Sequence, residues 1–385
     1  MDIIIFTHPT FLGSESMPRY AQMLQKGMLE QGHSVRFWTA KPFFYRLPSP
    51  NSAKKWLGYI DQFILFPIIV KFQLLFCNSK TLFVFADQAL GPWVPLVKKR
   101  KHIIHCHDFL AQKSAFGTFP ENRVGTSGKL YQAFIRRGYK KGSNFISISQ
   151  KTQNDLHHFL GRIPKVSEIV YNGLNQTFLP TKNITDVRNE QSTLLNIDLS
   201  KGYILHVGGN QFYKNRKGVI ELYDAWSKTI DNPIPLILIG SEPTQALIEL
   251  KKKSAKAKHI HFCTKVADTT VQKAYQGASV FLFPSLAEGF GWPIAEAMAS
   301  GCPVITTNEA PMTEVSGNAA YFITKRPSNE SDLKAWLQES IIVLDKVVAL
   351  SIEERQTIID LGLENAKRFD TKKALSHIEE IYSKI

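Results

Sequence analysis

Short runs rich in Val, Ile, Leu and Phe alternate along this chain with longer stretches in which apolar residues recur every three or four positions. The first pattern reads as buried strands and the second as helices covering them, so the alternation predicts parallel sheets built from strand–helix–strand units. In the first half, strands are predicted at 3–6, 34–39, 81–85, 102–106 and 144–148, with a helix from Pro18 to Gln31 closed by Gly32. In the second half, strands are predicted at 203–207, 235–239, 259–262, 279–283 and 303–306. A helix is expected from about Gly218 to Thr229, where Val219, Leu222, Tyr223 and Trp226 share a face, and the chain after Asn329 reads as mostly helical. Between Asn175 and Ser200 the periodicity weakens and polar residues dominate, which places a linker there. The fold class that follows is α/β, with two Rossmann-like doubly wound domains facing each other across a cleft. In open sheets of this kind ligands bind beyond the carboxyl ends of the strands, so the cleft is the expected active site.

Composition narrows the class without changing it. A chain of 385 residues is too long for one ordinary core, and 44% hydrophobic with 21% charged residues excludes a disordered or collagen-like chain. The start, MDIIIFTH, has no basic segment ahead of its short apolar run, so no signal peptide is expected and the protein is expected in the cytoplasm. Cys77, Cys106, Cys263 and Cys302 are far apart and read as reduced. The net charge of +14 favours anionic partners: nucleic acid, anionic lipid or phosphorylated substrates.

One segment calls for a membrane test. From Tyr59 to Cys77 the chain is strongly apolar, but Asp61, Gln62, Pro67, Lys71 and Gln73 interrupt it, so a transmembrane helix is rejected. Upstream, Lys41, Phe43, Phe44, Tyr45, Arg46 and Trp56 mix bases with aromatics, a composition suited either to a lipid headgroup interface or to a helix packed on its own domain.

The candidate chemistry is concentrated at two strand ends in the second half. The segment from Phe283 to Pro303 passes from a strand through a Gly-containing loop into a helix with Pro293 near its start and Gly301 just past its end. Glu288 lies in the loop and Glu296 in the early helix; carboxylates accept hydrogen bonds from paired hydroxyls of a sugar or ribose. Gly289 and Gly291 allow close approach of the backbone to a ligand, and the N–H groups at the helix start favour an anion. The second strand end, Val207 to Gly218, carries Lys214, Arg216 and Lys217, cations able to stabilise a departing diphosphate. In the first half, His105-Cys106-His107-Asp108 ends a strand; His107 can donate to a sugar hydroxyl, Asp108 can orient it, and zinc on His102, His105 and His107 is the rival reading.

Glu288 to Glu296 within EGFGWPIAEAMASGCPV resembles the E-x7-E motif of the family 4 retaining glycosyltransferases, group 1, and the flanking words from FLFPS to PVITT match that family too. The resemblance implies the GT-B architecture. The first domain, 1–175, would bind the acceptor; a linker would follow at 176–200; the second domain, 201–365, would bind a nucleotide sugar; and a last helix within 366–385 would return to the first domain. Glu296 would hold the ribose, Glu288 would lie beside the transferred sugar, and the amides of Phe290 and Gly291 would meet sugar hydroxyls or diphosphate. Lys217 is expected as the principal cation, with Arg216 or Lys214 as the second, since Asn210 stands where the family usually has arginine. Gly289, Gly209, Asn210 and Val266, with Gly13 of the first loop, complete the expected donor-contacting set, and His107 would contact the donor sugar. Trp292 departs from the family's commoner leucine or methionine, and Tyr171-Asn172-Gly173 resembles its interdomain word.

The implied reaction is retaining transfer of a hexose from a UDP- or GDP-sugar to a hydroxyl of a saccharide or lipid-linked acceptor, in surface polysaccharide, lipopolysaccharide or glycolipid synthesis. No cofactor and no divalent metal are expected, because cations of the chain take the metal's place. An anionic membrane surface is a further candidate partner; nucleic acid is not expected. The alternatives are a sugar-nucleotide epimerase and a non-enzymatic nucleic-acid or anion-binding protein.

Overall fold

A computed structural model describes residues 1–13, 16–174 and 177–385. Its first sheet holds β1 (Asp2–Phe6), β2 (Ser34–Trp38), β3 (Leu82–Phe85), β4 (His102–Cys106), β5 (Asn144–Ser147) and β6 (Val166–Ile169), in the order β2-β1-β3-β4-β5-β6. The second holds β7 (Ile204–Val207), β8 (Leu236–Gly240), β9 (Ile260–Thr264), β10 (Val280–Phe283), β11 (Val304–Thr307) and β12 (Tyr321–Ile323), in the order β12-β11-β10-β7-β8-β9. Every pairing in both sheets is parallel. Parallel sheets need cover on both faces, which is why central strands such as β1, with Ile3, Ile4, Ile5 and Phe6 fully buried, are apolar at every position rather than at alternate ones.

The order of each sheet reverses once, between β1 and β3 in the first and between β7 and β10 in the second. At such a reversal the connections from the two adjacent strands leave to opposite sides, and the carboxyl ends open a crevice for a ligand. The two compact units are Met1–Phe119 with Arg123–Asn175 and Thr371–Ile385, and Pro120–Asn122 with Gln176–Asp370.

Two strands absent from the sequence expectation, β6 and β12, are edge strands. Their residues are mostly half-buried, so neither Val166–Ile169 nor Tyr321–Ile323 carries the unbroken apolar run that marks an interior strand. The stretch expected as a linker contains a helix, Ile184–Leu195, capped by the Asn183 side chain on the amides of Thr185 and Asp186. Arg188 of that helix donates to the Gly277 carbonyl at 2.8 Å, tying it into the second unit. One buried residue, Gln191, is all the helix contributes to the interior, which explains its weak periodicity.

Residues 52–74 form a continuous helical run of 23 residues, with a π-helical turn at Asp61–Leu65, long and apolar enough to cross a membrane by length and composition. The sequence reading rejected such a span because of its polar interruptions. Of those interruptions, Asp61 and Gln62 face inward, where Asp61 accepts from the amides of Phe43, Phe44 and Tyr45 and Gln62 donates to the Gly58 carbonyl, while Lys71 and Gln73 are exposed. Pro67 falls in the first turn of Phe66–Leu74.

The helix Thr371–Ser383 closes the first unit's core, where Leu375, Ile378, Ile381 and Tyr382 pack with Ile3, Ile5, Tyr20, Leu24 and Met28. At its polar centre His105 is bonded through Nδ1 to the Tyr20 hydroxyl at 2.9 Å and through Nε2 to the Tyr382 hydroxyl at 2.7 Å. Burial pulls the His105 pKa down to about 3, so the ring is neutral with one hydroxyl donating to it and the other accepting. Tyr382→Phe leaves one ring nitrogen buried without a partner and is expected to destabilise the protein by about 1–3 kcal/mol, measured by urea unfolding.

Candidate active site

The site is assembled from the two connections leaving the β7/β10 reversal. After β7 the chain makes a turn, a short 3-10 helix at Phe212–Lys214, and then Asn215 in the left-handed region with φ 53°. That conformation breaks the 3-10 helix and lets the Asn215 side chain cap the helix Arg216–Ser227 by accepting from the Gly218 amide at 3.1 Å. After β10 the chain runs through Pro284 to Gly291, whose φ of 106° strongly favours glycine, into the helix Trp292–Ala299. The Leu286 amide donates to the Tyr213 carbonyl at 2.7 Å, and the Asn215 side-chain amide donates to the Pro284 carbonyl at 2.8 Å. These two bonds fasten the connections side by side.

Between them, the Lys214 ammonium reaches both carboxylate oxygens of Glu288, at 2.8 and 3.0 Å. The ammonium also lies 5.1 Å from the centre of the Phe283 ring and 5.6 Å from that of Tyr213, so aromatic faces share the cation with the carboxylate. Both side chains are mostly withdrawn from solvent, which strengthens their attraction and makes loss of either partner costly.

Glu296 is held one turn into its helix, where Oε2 accepts from the Tyr275 hydroxyl at 3.0 Å. Burial raises its carboxyl pKa to about 7, against the lowering influence of the Tyr275 hydrogen bond and the Lys214 charge. The residue keeps a partly exposed surface, so a carboxylate reluctant to ionise sits within reach of a ligand able to hydrogen-bond it.

Lys217, expected as the principal cation, has its side chain 59% exposed and lies 3.6 Å from Glu221, one helical turn on. The helix begins only after Asn215, and Lys214, before it, is the cation that reaches Glu288. Arg216 points the other way, donating to Asn210 at 2.5 Å and to the Ser241 carbonyl at 2.8 Å, with its guanidinium over the Phe262 ring. Its Nε and Nη2 are buried with no hydrogen-bond partner among the described residues.

Asn210 spans two connections, accepting from Arg216 and donating to the Glu242 carbonyl. Gly209 lies in the same turn, beside Gly208, whose carbonyl a β-carbon on Gly240 would approach to 2.0 Å. Val266 follows β9, after Lys265 in the left-handed region. Gly289 and Phe290 lie in the Glu288 loop, with the Phe290 ring against Phe369.

In the first unit, His107 stands just beyond β4, with its Nε2 bonded to the Ala86 carbonyl at 2.8 Å and its amide donating to Gln88. Burial lowers its pKa, so the ring is neutral at pH 7. Asp108, expected to orient it, accepts from the Leu110 amide. The carboxylate that does influence His107 is Asp87, after β3, which is 2.8 Å from His8, after β1. Burial works to raise the Asp87 pKa, but the His8 hydrogen bond and the charges of His8 and His107 leave it below the ordinary carboxylate range. No motif spacing connects these three residues, since they meet only where β1, β3 and β4 end side by side. Gly13 ends the turn Thr10–Leu12 with φ 72°. The ring nitrogens of His102 and His105 are engaged, those of His102 with the Arg100 carbonyl and the Ser143 amide, and among the described residues no group of three His, Cys, Asp or Glu is placed to hold a metal ion.

Residues 201–340 match the family model described as glycosyl transferases group 1. The chain is 30% identical over 143 residues to the O-antigen chain mannosyltransferase B of Escherichia coli, a stretch covering 37% of each protein. Among solved structures, Anabaena HepE in complex with UDP and glucose superposes with a TM-score of 0.71 at 18% identity over all of both chains. WaaG, a glycosyltransferase involved in lipopolysaccharide biosynthesis, superposes with a TM-score of 0.71 at 16% identity over 99% of both chains. The matched region, residues 201–340, falls on the unit that carries Lys214, Glu288 and Glu296 and is similar to the glycosyl transferases group 1, while the two-sheet GT-B fold is shared across the whole length.

Proposed function

We propose that the protein is a retaining glycosyltransferase that moves a hexose from a UDP- or GDP-sugar to a hydroxyl of a saccharide or lipid-linked acceptor, in the synthesis of a surface polysaccharide or glycolipid. The observation that carries this reading is the Lys214–Glu288 contact at the β7/β10 reversal, with Glu296 one helix turn beyond. Mannose is the hexose favoured by the name of the E. coli relative, while the UDP and glucose in HepE keep both nucleotide classes in view.

In the proposed reaction Glu296 accepts hydrogen bonds from the ribose hydroxyls, and the amides at the start of the Trp292 helix face the diphosphate. Lys214 shifts part of its interaction from Glu288 to the phosphate oxygens as the bond from the sugar's anomeric carbon to the phosphate oxygen breaks and its electron pair leaves with the diphosphate. The acceptor oxygen attacks the same face of the oxocarbenium-like sugar, and its proton passes to the departing phosphate oxygen. Glu288, paired with Lys214, lies beside the transferred sugar, and His107 is assigned a hydroxyl of that sugar. With Lys214 meeting the leaving charge, the reaction proceeds without a divalent ion.

A thermal-shift panel of UDP-, GDP- and ADP-sugars identifies the donor: one class is expected to raise the melting temperature, and Glu296→Ala is expected to abolish the rise. If no sugar nucleotide stabilises the protein, the reading fails. With that donor, Lys214→Met is expected to lower kcat by about 100-fold or more, and wild-type activity is expected to persist in EDTA; complete loss restored by added metal would refute the metal-free reaction.

Affinity should also carry a pH signature. The Glu296 pKa is raised to about 7 in the free protein, and ribose hydroxyls donating to the carboxylate favour its ionised form. Donor binding therefore releases a proton around neutrality, so affinity should rise as pH increases through about 7 and then level off, while Glu296→Gln should flatten the slope. Isothermal titration across that range measures both.

A further inference from the structure

The 52–74 helical run is apolar on both faces, yet the first unit covers only one of them. Phe66 and Val70 enter the core beside Trp93, and the Trp93 indole donates to the Gln62 carbonyl at 2.8 Å. The outer face presents Ile64, Ile68, Phe72, Leu75 and Phe76, with Phe72 64% and Phe76 89% exposed. An α-helix places positions 64, 68, 72, 75 and 76 on one stripe, so these side chains form a single apolar ridge. Water is a poor solvent for such a ridge, and a helix that is apolar all round calls for cover on the outside as well.

The neighbouring helix Thr126–Tyr139 widens the ridge. Tyr59 stacks on Tyr131 with ring centres 5.5 Å apart, Phe63 meets Phe134 at 5.4 Å, and Leu130 and Phe134 remain exposed.

Charge identifies what covers it. Residues 41–80 contain six bases, Lys41, Arg46, Lys54, Lys55, Lys71 and Lys80, and one acid, Asp61, which is buried on three backbone amides. The helix Thr126–Tyr139 adds Lys129, Arg136 and Arg137 and no acid. Further along, Arg136 and Lys140 line a cavity of about 450 Å³ together with Lys113 and His158. An apolar ridge bordered by bases, with its only acid turned inward, is complementary to acyl chains beneath a layer of anionic headgroups.

We propose that this face of the first unit lies on an anionic phospholipid surface, with the Ile64–Phe76 ridge entering the acyl boundary and the flanking bases meeting the headgroups. The inner side of the run stays packed on its own unit, so the helix lies along the surface instead of crossing it. The proposal stands apart from the glycosyl-transfer reading, because it concerns a surface whose test needs neither donor nor acceptor.

The test is flotation of the full chain with phosphatidylcholine vesicles and with vesicles of phosphatidylcholine and phosphatidylglycerol. The protein should float with the anionic vesicles and much less with the neutral ones. Phe72→Ser with Phe76→Ser, both on the solvent side, should weaken partitioning by about tenfold or more. Lys55→Glu with Lys71→Glu, equally exposed, should weaken it and reduce its dependence on salt. Failure of the wild type to float with anionic vesicles at low ionic strength would overturn the proposal, as would unchanged flotation of both double variants. Light scattering that shows a dimer dissolved by the phenylalanine changes, in a protein that does not float, would assign the ridge to a second copy of the chain.

Discussion

A lysine ammonium and a glutamate carboxylate, 2.8 Å apart where β7 and β10 end, hold the second unit's site in shape. Lys214 ends a short 3-10 helix and Glu288 lies in a loop, so the contact depends on the backbone that carries each one. Asn215 turns the chain so that Lys214 faces inward, and its amide fixes the Pro284 carbonyl at the start of the opposite loop. The parallel pairing of β7 with β10 sets the spacing of the two loops. A partly buried ion pair is expensive to break, which keeps the cation positioned before any ligand arrives; a preorganised charge costs little reorganisation when new negative charge develops beside it.

Glu296 is the counterweight to that pair. It shares the connection after β10 with Glu288 but lies in the helix, where Tyr275 and burial dominate its behaviour, and the distant Lys214 charge only moderates the upward shift. Two carboxylates eight positions apart thus have different characters: one is neutralised by a cation, and the other is held near half-ionisation at neutral pH. Each suits a different part of a sugar nucleotide, the first the region of the diphosphate and sugar, the second neutral hydroxyls.

What the sequence made legible follows from burial. Interior strands such as β3 and β10 are covered on both faces and therefore appear as unbroken apolar runs. The Glu288 loop was legible because a strand end, glycines and a helix start bracket it within a few residues. The edge strands β6 and β12 were not, since half-exposed positions tolerate polar residues. Which cation reaches Glu288 was hidden for another reason. Lys214, Arg216 and Lys217 are nearly adjacent in sequence, yet across the left-handed turn at Asn215 they meet three different partners, Glu288, the Ser241 carbonyl and Glu221. The partners of Asp61 and Gln62 were equally hidden: in the sequence they are polar letters in an apolar run, and in the fold they meet backbone groups inside the unit. The Asp87, His8 and His107 grouping comes from three separate strands and has no local signature at all.

In the proposed reaction the β7 turn and the β10 loop grip different parts of one ligand. Calorimetric titration of Lys214→Met and Glu296→Ala with the nucleoside, its monophosphate and its diphosphate tests that division directly. The account predicts that the lysine change weakens the diphosphate strongly and leaves the nucleoside unaffected, while the glutamate change weakens all three alike. Equal affinity of wild type and Lys214→Met for the diphosphate would contradict it.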